Sequence, residues 1–327
     1  MIISKTPFRV SFFGGGTDYP EWFSKYKGSV ISLAINKYCY VSARELPGFF
    51  SNKHRVVWSK IELINDFEKI IHPAVREALK YYKPSVGIEI NHQGDLPARA
   101  GLGSSSSFAV GLINSLNSFV NKKKISKKKI SQEAIFLEQN LVKEKVGIQD
   151  QIITSYGGFN NIKIDYSGNF KVNKINLSQD DILNFTDSLL LIYTGQTRIA
   201  SKIASIKIKS FKSKINEMEN LSELVKEGKK LIEKKSYDDF GYLLHQTWML
   251  KKSINKVISN DKIDEIYHEA LQSGALGGKL LGAGGGGFMI FYVRKSDRKK
   301  VLEKLNKLLH VPFNVDYEGT KIIYNSL

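Results

Sequence analysis

The chain has 327 residues, 42% of them hydrophobic, enough to bury the core of one large or two moderate domains. It is strongly basic, 49 − 32 = +17, which admits a nucleic acid, an anionic membrane surface or a phosphorylated metabolite as partner. Cys39 is the only cysteine, so an intrachain disulfide and a cysteine-rich zinc site are excluded; no apolar run is long enough to span a bilayer, no signal peptide is read at the N-terminus, and a cytoplasmic protein is expected.

In chain order, Ile2–Phe13 is apolar and β-branched and reads as a strand that stops at three glycines. Ser29–Arg44 and Arg55–Ile64 read as strands, Pro73–Tyr82 as a helix, and Val86–Asn91 as a strand. After a glycine- and serine-rich loop come helices over Phe108–Val120, Ser131–Val142 with Ser131 as N-cap, and Ile148–Tyr156 ending at Gly157-Gly158. Asn161–Asp165 and Lys171–Asn176 form a hairpin around Ser167-Gly168-Asn169. The polar stretch Asp180–Asp187 marks a boundary, giving domains 1–185 and 186–327. Beyond it lie a buried strand at Ser188–Tyr193, a helix-rich region from Arg198 to about Gln272, a strand at Phe288–Val293, a helix at Asp297–Leu309 and two closing strands within Val311–Tyr324. The lysines are dispersed over solvated faces. Their one dense run, Lys122–Lys129, has no interleaved aromatic residue to stack on bases and reads as an exposed helix junction.

Three glycine-rich segments each adjoin a regular element. Pro97–Ser107 (PARAGLGSSSS) joins a strand to a helix. Glycines there let the backbone approach an anion, and the first free N–H groups of the helix point at it; the hydroxyls of Ser104–Ser107 add donors and one Mg²⁺ ligand. No P-loop lysine motif is present, and Gly277-Gly278-Lys279 is followed by Leu280 where Ser or Thr is needed. In Pro7–Trp22, Arg9 at the edge of a phosphate site stabilises transferred charge and Asp18 accepts from sugar hydroxyls; a plain glycine turn capped by Asp18 is an equal reading. In Gly274–Val293, four consecutive glycines require close approach of a backbone or a ligand. Asp150, after Gly147, is either a proton acceptor for an attacking hydroxyl or a helix cap.

Together these segments resemble the GHMP kinase superfamily over nearly the whole chain. PARAGLGSSSS resembles its phosphate loop, VGIQDQ the segment with the catalytic aspartate, KLLGAGGGGFMI the C-terminal glycine motif, and PFRVSFFGGGTDY a sugar signature. The resemblance implies an α/β (α+β) fold of two domains, the N-terminal one like ribosomal protein S5 domain 2 and the C-terminal one ferredoxin-like. It implies ATP and Mg²⁺ as cofactors and a cleft between the domains. By the same resemblance Asp150 and Arg9 are catalytic. Pro97, Gly101, Leu102, Gly103, Ser104, Ser105 and Ser106 cradle the phosphates, and Ser105 with Glu138 holds the metal. Gly16, Thr17, Asp18, Arg99, Arg198 and Gly285 bind the substrate. Galactokinases carry Glu-His where this chain has Gly15-Gly16, which argues against galactose.

Within the superfamily the pattern is most similar to kinases that phosphorylate the anomeric C1 hydroxyl of D-glycero-D-manno-heptose 7-phosphate for surface-polysaccharide assembly; L-fucose-type kinases share much of it. A phosphorylated substrate calls for extra cations, with Arg99, Arg198, Lys37 and Arg44 as candidates, although solvated charge is the favoured reading of Lys37 and Arg44. The partners expected are a sugar phosphate and ATP, with no nucleic acid and no membrane; a homodimer is compatible. A basic nucleic-acid-binding protein is the alternative from another class.

Overall fold

The protein is described here by a computed structural model covering residues 1–196, 208 and 210–326. Strand β1 (Ile2–Phe13) is its spine. Side chains alternate across a strand, so Phe8, Val10 and Phe12 enter the core while Arg9 and Ser11 share the opposite face. After the turn at Gly14–Gly16, the short helix α1 (Pro20–Tyr26) leads into β2 (Gly28–Glu45), which pairs antiparallel with β1 along most of its length.

Strands β3 (His54–Val57), β4 (Ile61–Ile64) and β5 (Ile88–Gly94) extend this sheet beyond β2, with β3 and β5 parallel. The single strand expected over Arg55–Ile64 is thus a hairpin. Its chain reverses at Trp58–Lys60, where Trp58 N donates to Lys60 O at 2.9 Å. Helix α2 (Pro73–Tyr82) has the expected bounds, and α3 (Ser104–Val120) is buried along almost its whole length against the sheet.

Helix α4 (Lys127–Phe136) starts before the predicted Ser131. Ser126 is its cap, accepting from Lys129 N at 3.2 Å, while Ser131 is buried and donates to Lys127 O at 2.7 Å. Half of the lysine run therefore belongs to the first turn of a helix. A π-helical turn at Leu137–Leu141 follows, then α5 (Gln149–Tyr156), β6 (Phe159–Ile164) and β7 (Phe170–Lys174). β6 pairs with the Gly28 half of β2 and with β7.

Helix α6 (Gln179–Asp187) occupies the expected boundary stretch, so a division at residue 185 falls inside a helix. The second sheet is built from β8 (Leu189–Tyr193), β9 (Ala275–Leu280), β10 (Phe288–Val293) and β11 (Leu309–His310); α7 (Ile215–Glu233), α8 (Tyr237–Ile254) and α9 (Asp261–Gln272) lie between β8 and β9 in the chain, and α10 (Arg298–Lys304) between β10 and β11. Its order is β11-β8-β10-β9 with every neighbour antiparallel, the ferredoxin-like arrangement. The closing strand β12 (Lys321–Asn325) leaves this sheet and pairs with β1. Residues after β11 thus pack on the first sheet, where the edge of β1 offers unpaired backbone groups.

One core spans both sheets. Phe12 and Phe13 of β1 meet Phe240 of α8 edge-on at 5.3 and 5.2 Å, and Phe185 of α6 stacks on Phe159 of β6 at 5.5 Å. Edge-to-face aromatic pairs add about 0.5–1.5 kcal/mol each beyond area burial. This packing fixes the two walls of the cleft above it.

Candidate active site

Helix α3 begins without a side-chain cap. Its N-cap is Gly103, held at φ +74°, and the first bond into the helix runs from Ser107 N to Gly103 O at 2.8 Å. The N–H groups of Ser104, Ser105 and Ser106 therefore lack intrahelical acceptors and sit at the positive end of the helix dipole. All three serines line one cleft together with Gly101, Gly103 and Arg99. Such an N-terminus is an anion-binding site by construction.

Opposite the loop, Arg9 and Asp150 form a bidentate pair: Nε to Oδ1 at 2.6 Å and Nη2 to Oδ2 at 2.5 Å. The Arg9 side chain is 5% exposed and that of Asp150 20%. Arg9 Nη1 also donates to Gly101 O at 2.6 Å, and Arg9 N to Leu102 O at 3.1 Å. Strand β1, the phosphate loop and α5 are thus tied at one point. Glycine suits position 103 because its φ of +74° is left-handed, and a Cβ would also lie a tight 3.2 Å from both Arg9 Cγ and Asp150 Oδ2. Each Asp150 oxygen accepts once from Arg9 and keeps a second lone pair.

Behind the serines lies Glu138, 2% exposed, on the π-helical turn. Its carboxyl accepts from Ser105 Oγ at 2.7 Å, Ser106 Oγ at 2.8 Å and Gln151 Nε2 at 2.6 Å. Burial pushes its pKa up to about 7, against the opposing effect of those three donors.

The C-terminal glycine motif crosses the phosphate loop backbone to backbone. A Cβ on Gly101 would stand 2.5 Å from Leu281 O, and one on Gly287 2.2 Å from Ala100 O. Phe288 N donates to Ala100 O at 3.0 Å across this crossing. Close approach of another backbone is therefore the reason for these glycines. Gly282 and Ala283 do reach the cleft wall.

Asp18 is 2% exposed, lines the cleft with Gly16, and accepts from Gly16 N at 2.9 Å and Gln149 N at 3.4 Å. Other expected residues stand elsewhere. Thr17 is fully buried, its hydroxyl bonded to Gly14 O and Ser29 O at 2.9 Å, so it holds the turn and is not on the cleft wall. Gly285 donates to Ile258 O at 2.8 Å and is also off the wall. Leu102 is a core side chain and Pro97 an exposed one, neither reaching the cleft. Of the candidate cations, Arg99 lines the cleft with φ +61°. Arg44 is paired with Glu89 at 2.7 Å, Lys37 lines a different surface recess, and Arg198 lies outside the described residues.

The structure adds residues that sequence reasoning missed. Lys251 of α8 and Lys279 of β9 are 5% and 3% exposed and line the cleft, donating to Gly282 O at 2.8 Å and Phe12 O at 2.6 Å. Tyr19 lines it too, its phenol pushed up by burial and then by Asp18 and Asp150, so it stays neutral. Ser11, Gln149, Glu144 and Lys145 complete much of the lining. Lysine in a basic chain carries no signal of its own; for Lys279 the signal was its place directly before the glycine motif. Among the described residues no helix is long and apolar enough to cross a membrane.

The GHMP kinases N terminal domain model matches residues 68–158, and the GHMP kinases C terminal model matches residues 229–311. The chain is 29% identical to a D-glycero-alpha-D-manno-heptose 7-phosphate kinase of Campylobacter jejuni, over 94% of this chain and 93% of that one. It is 30% identical to a mevalonate kinase of Methanocaldococcus jannaschii, over 72% of this chain and 71% of the other. A crystal structure of a D-glycero-D-manno-heptose 1-phosphate kinase from Bacteroides thetaiotaomicron superposes with TM-score 0.80 at 21% identity, covering 99% of this chain and all of that one (100%). Two domain models in order and relatives aligned across both halves lead to one conclusion: the chain belongs to the GHMP kinase family and is an ATP-dependent phosphotransferase with an alcohol group as acceptor.

Proposed function

We propose that the chain transfers the γ-phosphoryl group of ATP to the anomeric C1 hydroxyl of D-glycero-D-manno-heptose 7-phosphate, giving the 1,7-bisphosphate for nucleotide-activated heptose and surface polysaccharide. The observation that carries the chemistry is the bidentate Arg9–Asp150 pair in the same cleft as the uncapped N-terminus of α3. The choice of substrate rests on the similarity to the heptose 7-phosphate kinase and on the cations Arg99, Lys145, Lys251 and Lys279 along the cleft, which suit a substrate that already bears a phosphate.

Asp150 takes the proton of the attacking hydroxyl as its oxygen bonds to the γ-phosphorus and the bond to the β-phosphate oxygen breaks. Arg9 holds the carboxylate in plane and faces the charge that develops on the transferred group. The N–H groups of Ser104–Ser106 bind phosphate oxygens. Asp18 accepts from sugar hydroxyls. The donor set for Mg²⁺ fits: Ser105 Oγ on the cleft wall and the Glu138 carboxylate 2.7 Å behind it are hard oxygens, and Mg²⁺ takes few protein ligands beside phosphates and water. When bound, Mg²⁺ neutralises phosphate charge. Positioning and electrostatics supply most of the acceleration in such transfers.

The test is ADP release over a panel of heptose 7-phosphates, heptose 1-phosphate, sedoheptulose 7-phosphate, L-fucose, galactose and mevalonate. The proposal expects the highest kcat/KM with D-glycero-D-manno-heptose 7-phosphate. A preference for L-fucose would replace it with the fucose reading.

A further inference from the structure

Gln149 precedes Asp150 in the first turn of α5, is 8% exposed and lines the cleft. Its carbonyl is held from behind: Oε1 accepts from Ser11 Oγ at 2.9 Å and from Ser32 Oγ at 3.0 Å. Ser11 and Ser32 are direct antiparallel partners on β1 and β2, so two strands set the rotation of one amide. With Oε1 doubly occupied, Nε2 must turn the other way, toward Gly15 on the cleft wall. Among the described residues Nε2 has no hydrogen-bond partner. Nε2 opens onto the cleft, so its two N–H groups are aimed where a ligand oxygen can accept from them.

Gly15 supplies the room. Gly14 and Gly16 have φ of +78° and +120°, and a Cβ on Gly14 would strike Ser29 O at 2.0 Å. Gly15 has no positive φ, and a Cβ there would make only ordinary contacts, 3.7 Å from Ser11 Oγ and 3.9 Å from Gln149 Nε2. Among the described residues, no packing contact demands glycine at this position. What a side chain at Gly15 would occupy is the space in front of the Gln149 amide.

We propose that Gln149 Nε2 is a specificity-determining donor to an oxygen of the acceptor sugar, and that Gly15 keeps the approach to it open. The proposal deepens the sugar-kinase reading above and rests on it. The substrate class it implies is a polyol that offers a second oxygen beside the reacting hydroxyl.

Gln149→Glu tests it, because the carboxylate still accepts from Ser11 and Ser32 while the donor is lost. Steady-state kinetics would use ATP and D-glycero-D-manno-heptose 7-phosphate, or whichever panel sugar the wild type phosphorylates best. The expected result is a rise of about tenfold or more in sugar KM, with ATP KM and melting temperature close to wild type. Gly15→Ala should raise sugar KM in the same direction and keeps the question open to refutation if Gln149→Glu does not fold. Unchanged sugar KM in a folded variant overturns the proposal, and so does an equal rise in ATP KM, which would assign the amide to the nucleotide. A wild type that phosphorylates no sugar defeats the sugar-kinase reading itself, and this proposal falls with it.

Discussion

The first and third glycine runs look alike in sequence and are needed for different reasons. In Gly282–Gly287 the backbone itself is the constraint: Gly282 and Gly287 hold positive φ and face the main chain of Gly101 and Ala100 at distances no side chain allows. In Gly14–Gly16 only part of the run is constrained that way: Gly15 lines the cleft, and among the described residues a Cβ on it would meet nothing closer than 3.7 Å. A run of glycines marks a close approach. Whether the approaching group is backbone or ligand is decided by φ and by what a Cβ would touch.

The largest expected effect isolates the chemistry from this scaffold. Asp150→Asn should lower kcat by about 10²–10⁴-fold with ATP affinity retained, as read by single-turnover kinetics beside nucleotide titration. An unchanged kcat would remove Asp150 from the mechanism. Next, Gly287→Ala should cost about 4 kcal/mol of unfolding free energy, from backbone strain together with overpacking, whereas Gly15→Ala should stay within about 0.5 kcal/mol. Urea denaturation of the two variants compares the runs directly, and equal losses would dissolve the distinction.

Glu138 gives a smaller effect with a definite direction. Its carboxyl titrates near an ordinary 4.5 when unfolded and at about 7 when folded. Between those values the folded state binds the proton that the unfolded state releases, so stability falls as pH rises through the window and the loss is complete above about 7. The size is about 3 kcal/mol at most. Unfolding free energy between pH 5 and 8 should show this slope in the wild type and lose it in Glu138→Gln. The smallest effect is at the exposed Arg99: Arg99→Ala should raise KM for a phosphorylated sugar roughly threefold to tenfold, more than KM for ATP. If both stay constant, Arg99 does not read the substrate phosphate.

Much of the fold is legible where pattern and punctuation agree. Ile2–Phe13, Pro73–Tyr82 and Phe288–Val293 have the expected bounds, each set off by glycine, proline or a change of period. Sequence and structure part where a local signal has a rival. Ser126 and Ser131 both precede helical runs, and the cap is the one whose hydroxyl accepts from the helix N–H three residues on. Trp58–Lys60 turns a strand without glycine or proline. In the cleft, Arg9, Asp150 and the serine loop were readable from motifs. Lys251 and Lys279 were not, because they reach the cleft from the C-terminal half of the chain; Gln149 lies inside the readable motif, but its amide is set by Ser11 and Ser32, which are far from it in sequence. Thr17 sits inside a motif yet serves the turn.

The most direct test of the central claim is phosphorus NMR of a reaction containing the enzyme, Mg²⁺, ATP and D-glycero-D-manno-heptose 7-phosphate. One ADP is expected for each new sugar phosphate, with the new phosphate on C1 and the 7-phosphate retained. Intact heptose 7-phosphate after prolonged incubation, with ATP unconsumed or hydrolysed to inorganic phosphate, would contradict it.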